Sequence, residues 1–321
     1  MTTDTDRHRS DFDGDGFADI LWRDHAGDNV LWLMNNSTPS DVVILPAVTP
    51  DWHVKATAQF DLSGRDEDIL WQNDNGALAL WKMGDGAAVR NISELPNPGP
   101  TWHVVGDNDF NNDGADDILF RNDNGSLALW TVTSATGTVS GMFAGTQDPG
   151  PTWHVVGTGD EDADSKAGIL WQNDNGALAL WENPTFAAGT FTFNTVAALP
   201  SVDPSWHVKG MTDFNFFFGT ADIVFQNDNG AVAIWEMGPG GTTILDASVV
   251  NINPGPAWHI VGLRNMNNDD LGSGDILFQN DNGAAAVWEG YHLLGGGLAT
   301  FDTVLAIDPN PNPNGHVWDL L

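Results

Sequence analysis

Residues 69–81 read Ile-Leu-Trp-Gln-Asn-Asp-Asn-Gly-Ala-Leu-Ala-Leu-Trp, and the fold follows from how this stretch is read. Two short apolar runs, each ending on an aromatic residue, flank a polar turn. Asn-Gly between such runs is a strong hairpin signal, because both residues tolerate the positive φ of a tight turn. The string Asn-Asp-Asn-Gly recurs at Asn73–Gly76, Asn122–Gly125, Asn173–Gly176, Asn227–Gly230 and Asn280–Gly283. Each copy lies between paired aromatics: Trp71/Trp81, Phe120/Trp130, Trp171/Trp181, Phe225/Trp235 and Phe278/Trp288. A divergent sixth copy spans Trp22–Trp32.

Outward from each hairpin, Trp-His follows the second aromatic, at Trp52-His53, Trp102-His103, Trp153-His154, Trp206-His207 and Trp258-His259. Successive pairs are 50, 51, 53 and 52 residues apart. The last repeat, Gly315-His316-Val317-Trp318, is read as keeping the histidine. Each unit then holds four short strands: Trp-His-Val-Val-Gly, the two arms of the hairpin, and a looser β-branched run such as Val89–Leu95. With no helical periodicity, four strands in about 50 residues match a propeller blade. The expectation is an all-β, six-bladed β-propeller of four-stranded blades. The chain starts at a second strand (Asp19–Arg23) and finishes with a first one (His316–Leu320), so the C-terminal strand is expected to complete the N-terminal blade and remove both open edges. Residues 11–321 then form a single domain, and residues 1–10 a disordered tail.

Composition narrows the function. Of 321 residues, 11 are basic and 44 acidic, a formal charge of −33. Such a surface repels phosphate backbones, which excludes nucleic acid as a partner. No stretch approaches eighteen consecutive apolar residues, which excludes helical membrane insertion. There is no cysteine, so any metal is held by oxygen or imidazole.

Oxygen-rich loops precede several hairpins. The first runs Asp11-Phe-Asp13-Gly-Asp15-Gly-Phe-Ala-Asp19, and the third unit has Asp109-Phe-Asn111-Asn-Asp113-Gly-Ala-Asp-Asp117. Oxygen ligands at positions 1, 3, 5 and 9, with glycine at 6 for the turn, suit a hard cation such as Ca2+. The fourth unit keeps Asp160, Asp162 and Asp164 but has Gly168 at the last position. The second is reduced to Asp61, Ser63 and Asp68, and the fifth carries Phe216-Phe217-Phe218. The pattern resembles the calcium loops of FG-GAP/VCBS propellers, the repeat family of integrin α-subunit heads and many secreted bacterial proteins. That resemblance covers nearly the whole chain from Asp11. It implies bound calcium, an extracellular location and a binding or adhesion role, with secretion lacking a recognisable cleaved signal because Met1–His8 has no apolar core.

Each unit is expected to gather Trp-His and Asn-Asp-Asn-Gly at one rim. An aromatic platform beside amides and carboxylates fits a sugar ring. This makes Trp52, His53, Trp102, His103, Trp153, His154, Trp206, His207, Trp258 and His259 candidate ligand-binding residues, with Asn73, Asn122, Asn173, Asn227 and Asn280. Two other readings stay open. By analogy with WD-repeat propellers, each His pairs with the turn Asp as an internal pin. Alternatively the histidines, His316 included, ring a channel and hold a transition metal. The chemically capable residues recur in every unit and no asymmetric catalytic set stands out, so a binding protein rather than an enzyme is expected. Residues that break the repeat, His25, Tyr291, His292 and the Phe216–Phe218 run, are where an isolated active site would lie. The partner is then a glycan, or a protein surface bound by an adhesion scaffold.

Overall fold

The computed structural model describes residues 10–62, 67–84, 86–160, 164–214, 220–267, 274–307 and 318–320, which excludes most of the expected N-terminal tail. Their regular structure is entirely β, in twenty-four strands. Unit 1 contributes β1 (Ile20–Asp24), β2 (Asn29–Asn35) and β3 (Thr38–Leu45). Unit 2 is β4 (Trp52–Ala58), β5 (Asp68–Asn73), β6 (Leu78–Gly84) and β7 (Ala88–Leu95). Unit 3 is β8 (Trp102–Asn108), β9 (Asp117–Asn122), β10 (Leu127–Thr133) and β11 (Thr138–Gly145). Unit 4 is β12 (Trp153–Gly159), β13 (Gly168–Asn173), β14 (Leu178–Ala187) and β15 (Thr190–Leu199). Unit 5 is β16 (Trp206–Thr212), β17 (Asp222–Asn227), β18 (Val232–Met237) and β19 (Ile244–Val250). Unit 6 is β20 (Trp258–Arg264), β21 (Asp275–Asn280), β22 (Ala285–Leu293) and β23 (Leu298–Ile307), after which β24 (Trp318–Leu320) pairs antiparallel with β1.

These strands form four sheets, which corrects the expected six-bladed propeller of separate four-stranded blades. Units 1 and 2 are four-stranded sheets, whereas units 3 and 4 share one eight-stranded sheet and units 5 and 6 another. The fusion comes from parallel pairing of β11 with β15 and of β19 with β23. Its cause is hairpin length. The β14–β15 and β22–β23 arms run nine or ten residues, against seven or eight in β2–β3 and β6–β7. The longer tips reach the end of the preceding unit's last strand, where Ala144 N–H donates to Gly189 O and Val249 N–H to Gly297 O, each at 3.0 Å. Backbone groups that would otherwise form an open edge are thereby paired.

The Ile-Leu-Trp run explains the core. Second strands such as β5 are buried along their whole length, so they show a continuous apolar run rather than alternation. Ile69 and Trp71 join the unit 1 side chains Leu21, Leu31 and Leu33. Leu70, pointing the other way, joins Ile118, Phe120 and Trp130 of unit 3. The same exchange links units 3 and 4, 4 and 5, and 5 and 6. A sixth cluster sets Leu277 and Val287 of unit 6 against Ile20, Trp22 and Trp32 of unit 1, so the core forms a closed cycle. Within each hairpin the two aromatics pack with centroids 4.6–5.2 Å apart.

Candidate functional site

Trp-His and Asn-Asp-Asn-Gly meet at one end of the strands, because register sets Trp52 opposite Asn73 and repeats that pairing in units 3 to 6. The five tryptophans are half-buried and the histidines beside them exposed. Each histidine Nε2 sits 2.7–2.8 Å from a turn carboxylate, in the pairs His53–Asp74, His103–Asp123, His154–Asp174, His207–Asp228 and His259–Asp281. Unit 1 keeps the contact with its partners exchanged. His25 lies in the turn and meets Asp319 of β24 at 3.0 Å. Asp319 pairs with Arg23 as His53 pairs with Gln72, so Trp318-Asp319 is the true counterpart of Trp-His. The alignment of His316 with the other histidines is corrected accordingly; His316 itself lies outside the described residues.

The turn asparagines are engaged by the turn. Asn73, Asn122, Asn173, Asn227 and Asn280 each accept, through Oδ1, the N–H two residues on at 3.0–3.1 Å. Their Nδ2 groups donate to Asp51, Thr101, Thr152 and Ser205 in units 2 to 5. Gly76 closes its turn at φ +88°, and a Cβ there would lie 2.3 Å from the backbone of Gly99 in the connection to the next unit. The rim is thus pre-shaped by backbone and side-chain bonds rather than by loose loops.

A further rim residue escapes the motif reading. Gln72, Gln172, Gln226 and Gln279, each just before the turn, donate from Nε2 to the carbonyl of Trp102, Trp206, Trp258 or Trp318 in the following unit at 2.7–2.8 Å. Their Oε1 atoms accept the N–H of Val104, Val208, Ile260 and Leu320. Arg23 and Arg121 take this place in units 1 and 3, bonding Trp52 O and Trp153 O. The signal was present, since Gln or Arg precedes the turn in every repeat, but it spoke of contacts between units that a single hairpin does not show.

The acidic loops lie at the opposite strand ends. In unit 1, carboxylate oxygens of Asp11, Asp13 and Asp15 fall within 4.8 Å of one another. Asp11 accepts the N–H groups of Gly14, Asp15 and Gly16, which shapes the loop. Asp109 does the same for Asn111, Asp113 and Gly114, and Asp160 for Asp164 and Ser165. Asn111 Nδ2 donates to Asp117, and Asp113 caps Ala115. Asp162 lies outside the described residues. The closing residues Asp19 and Asp117 are fully buried and hold the loop to the third strand. Asp19 accepts Phe12 N–H and Met34 N–H, and Asp117 accepts Phe110 N–H and Val132 N–H. Burial pushes both carboxyls up to about 8; those N–H bonds oppose the shift and neighbouring acidic charges add to it. In unit 2 protein cations do what a metal would: Asp61 pairs with Arg90 at 3.1 Å and Lys82 at 3.6 Å.

Two of the residues that break the repeat lie on one long hairpin. Tyr291, on the long β22–β23 hairpin, packs against Phe214 and Phe301, and His292 meets Asp302 at 2.8 Å. Phe216–Phe218 lie outside the described residues. No helix among the described residues is long and apolar enough to cross a membrane.

No family matches the chain, and no curated protein does. Among solved structures it is similar to BBS1N, crystallised in complex with ARL6DN, at 13% identity and a TM-score of 0.41 over 82% of this chain and 71% of that one.

Proposed function

We propose that the chain is a non-catalytic carbohydrate-binding module whose sugar sites recur along the Trp-His rim, with calcium stapling the acidic loops at the other end, in an extracellular setting. The carrying observation is repetition with preorganisation. Five half-buried indoles each stand beside an exposed His–Asp pair held at 2.7–2.8 Å. An indole face accepts the C–H face of a pyranose, and the imidazole and carboxylate edges offer hydrogen bonds to its hydroxyls. Sites of this kind are individually weak, and five on one rigid body gain strength from multivalency. Charge restricts the ligand to neutral or basic glycans, since the chain carries −33. For the cation, Asp11, Asp13 and Asp15 fit, because three converging carboxylates repel one another unless a hard cation lies between them. The test is a glycan array on the calcium-loaded protein, with a chelated sample in parallel. Binding to a related set of neutral sugars supports the reading, and a silent array contradicts it.

A second reading, a protein-interaction scaffold, draws on the outer strands. Val42, Ile44, Ile92, Met142, Val196 and Val304 are each about half or more exposed there, and together offer apolar surface to a protein partner.

A further inference from the structure

Unit 5 departs from the other units at two unconnected positions, and both open onto the same space. In unit 5, β18 sets Trp235 directly opposite Ala247 of β19. Every other unit places a larger side chain there: Val42 opposite Trp32, Ile92 opposite Trp81, Met142 opposite Trp130, Val196 opposite Trp181 and Val304 opposite Trp288. Those five indoles are 3–7% exposed, whereas Trp235 is half-buried. The second departure lies three residues before the rim tryptophan. There the backbone carbonyl accepts the tryptophan N–H in units 2 to 6, from Thr49, Gly99, Gly150, Asp203 and Gly255. Only Asp203 brings a carboxylate.

The result is a cleft of about 230 Å3 lined by Trp206, Trp235, Phe225, Asp203, Ala247 and Val249. It is smaller than the roughly 300–1,000 Å3 of typical ligand sites, so it accepts one compact group. Its walls are two indoles, a phenyl ring and aliphatic side chains, with a single ionised group at the mouth. Asp203 is held on the anionic side by the N–H and hydroxyl of Ser205, which depress its pKa. A sugar ring is a poor occupant, because most of its hydroxyls would lose water without gaining a partner. An alkylated ammonium ion matches on both counts: its methyl groups bury against apolar walls, and its diffuse positive charge is attracted by indole faces and a carboxylate. The charge of −33 draws such an ion in from solution.

We infer that the unit 5 cleft is a specific site for a choline-type alkylammonium ion, held between Trp206 and Trp235 with Asp203 as counter-ion. The site shares Trp206 with the proposed sugar rim, but it exists once per chain and depends on Ala247 and Asp203, where the other units carry larger or uncharged residues.

The test is titration of choline chloride and tetramethylammonium chloride at constant ionic strength, followed by indole fluorescence and calorimetry. One saturable site per chain is expected. The neutral isostere 3,3-dimethylbutanol should bind about tenfold more weakly, as should choline to Asp203→Asn, which keeps the turn bond to Ser205 N–H. Phosphocholine should also bind more weakly than choline, its phosphate facing an acidic surface. Ala247→Val introduces the side chain that stands opposite the hairpin tryptophan in units 1, 4 and 6, so it should fold and abolish binding. Equal affinity for the neutral isostere, or unchanged choline binding in folded Ala247→Val, would overturn the inference. So would a cleft that binds methyl pyranosides and ignores choline, while a glycan array still positive in Ala247→Val leaves the sugar rim standing on its own.

Discussion

Replacing Gln172 tests whether the units are joined by side-chain bridges as well as by apolar packing. Gln172 is buried, donates to Trp206 O at 2.7 Å and accepts Val208 N–H at 3.0 Å, so one side chain satisfies two backbone groups of unit 5. Gln172→Ala leaves both without a partner. At about 1–3 kcal/mol for each unsatisfied group, the loss should be about 2–6 kcal/mol. Gln172→Glu keeps an acceptor for Val208 N–H but turns an oxygen toward Trp206 O, and should be at least as damaging. Gln172→Arg should lose least. Arg121 already donates to Trp153 O in unit 3 while its guanidinium lies 5.3 Å from the Trp171 ring, and in unit 5 Phe225 occupies the place of Trp171. Urea unfolding followed by tryptophan fluorescence gives the ranking. A Gln172→Ala variant within about 0.5 kcal/mol of the parent, the range of inert surface changes, would refute the reasoning.

Gly76→Ala and Gly86→Ala separate strain from clash. Both glycines have positive φ, but a Cβ at position 86 meets nothing within 4 Å while one at 76 meets backbone at 2.3 Å. Thermal melts should show a loss of about 1–2 kcal/mol for Gly86→Ala and a clearly larger one for Gly76→Ala. Asp222 gives a pH signature. Burial pushes its carboxyl up to about 8, against N–H bonds from Met237 and Phe214. The folded chain therefore keeps a proton that the unfolded chain releases near pH 4, so this contribution is complete below about pH 4 and declines as pH rises to about 8. Asp222→Asn should flatten the stability–pH slope by up to about 1.4 kcal/mol per pH unit in that window; an unchanged slope would contradict it. The rim pins should tolerate exchange. His53→Asp alone should cost about 0.2–1 kcal/mol, and adding Asp74→His should recover it, as the inverted His25–Asp319 pair implies.

Much of this architecture was legible locally and little of it globally. Asn-Asp-Asn-Gly between Leu70-Trp71 and Ala77-Leu78 announces a hairpin, since turn chemistry and apolar patterning are short-range signals. Which edges join is decided by hairpin length. Only the greater distance from Trp181 to Trp206 than from Trp81 to Trp102 hinted that β14–β15 would reach β11, and the repeat reading treated every unit as equal. The same assumption of equivalence misplaced the last repeat. His316 resembled the missing histidine, yet backbone register assigns its role to Asp319, with His25 supplying the imidazole from the turn. Ala247 and Asp203 were invisible for the opposite reason: each is unremarkable until pairing shows what stands at its position in the other units.

The most direct test of the proposed sugar rim replaces Trp52, Trp102, Trp153 and Trp258 together with leucine, leaving Trp206 and its cleft untouched. A glycan array and a thermal melt on the same calcium-loaded sample then read binding and folding at once. The account predicts a cooperative melt with the array signal lost, because one remaining weak site has no multivalent partner. A folded variant that binds the array as the parent does would contradict it.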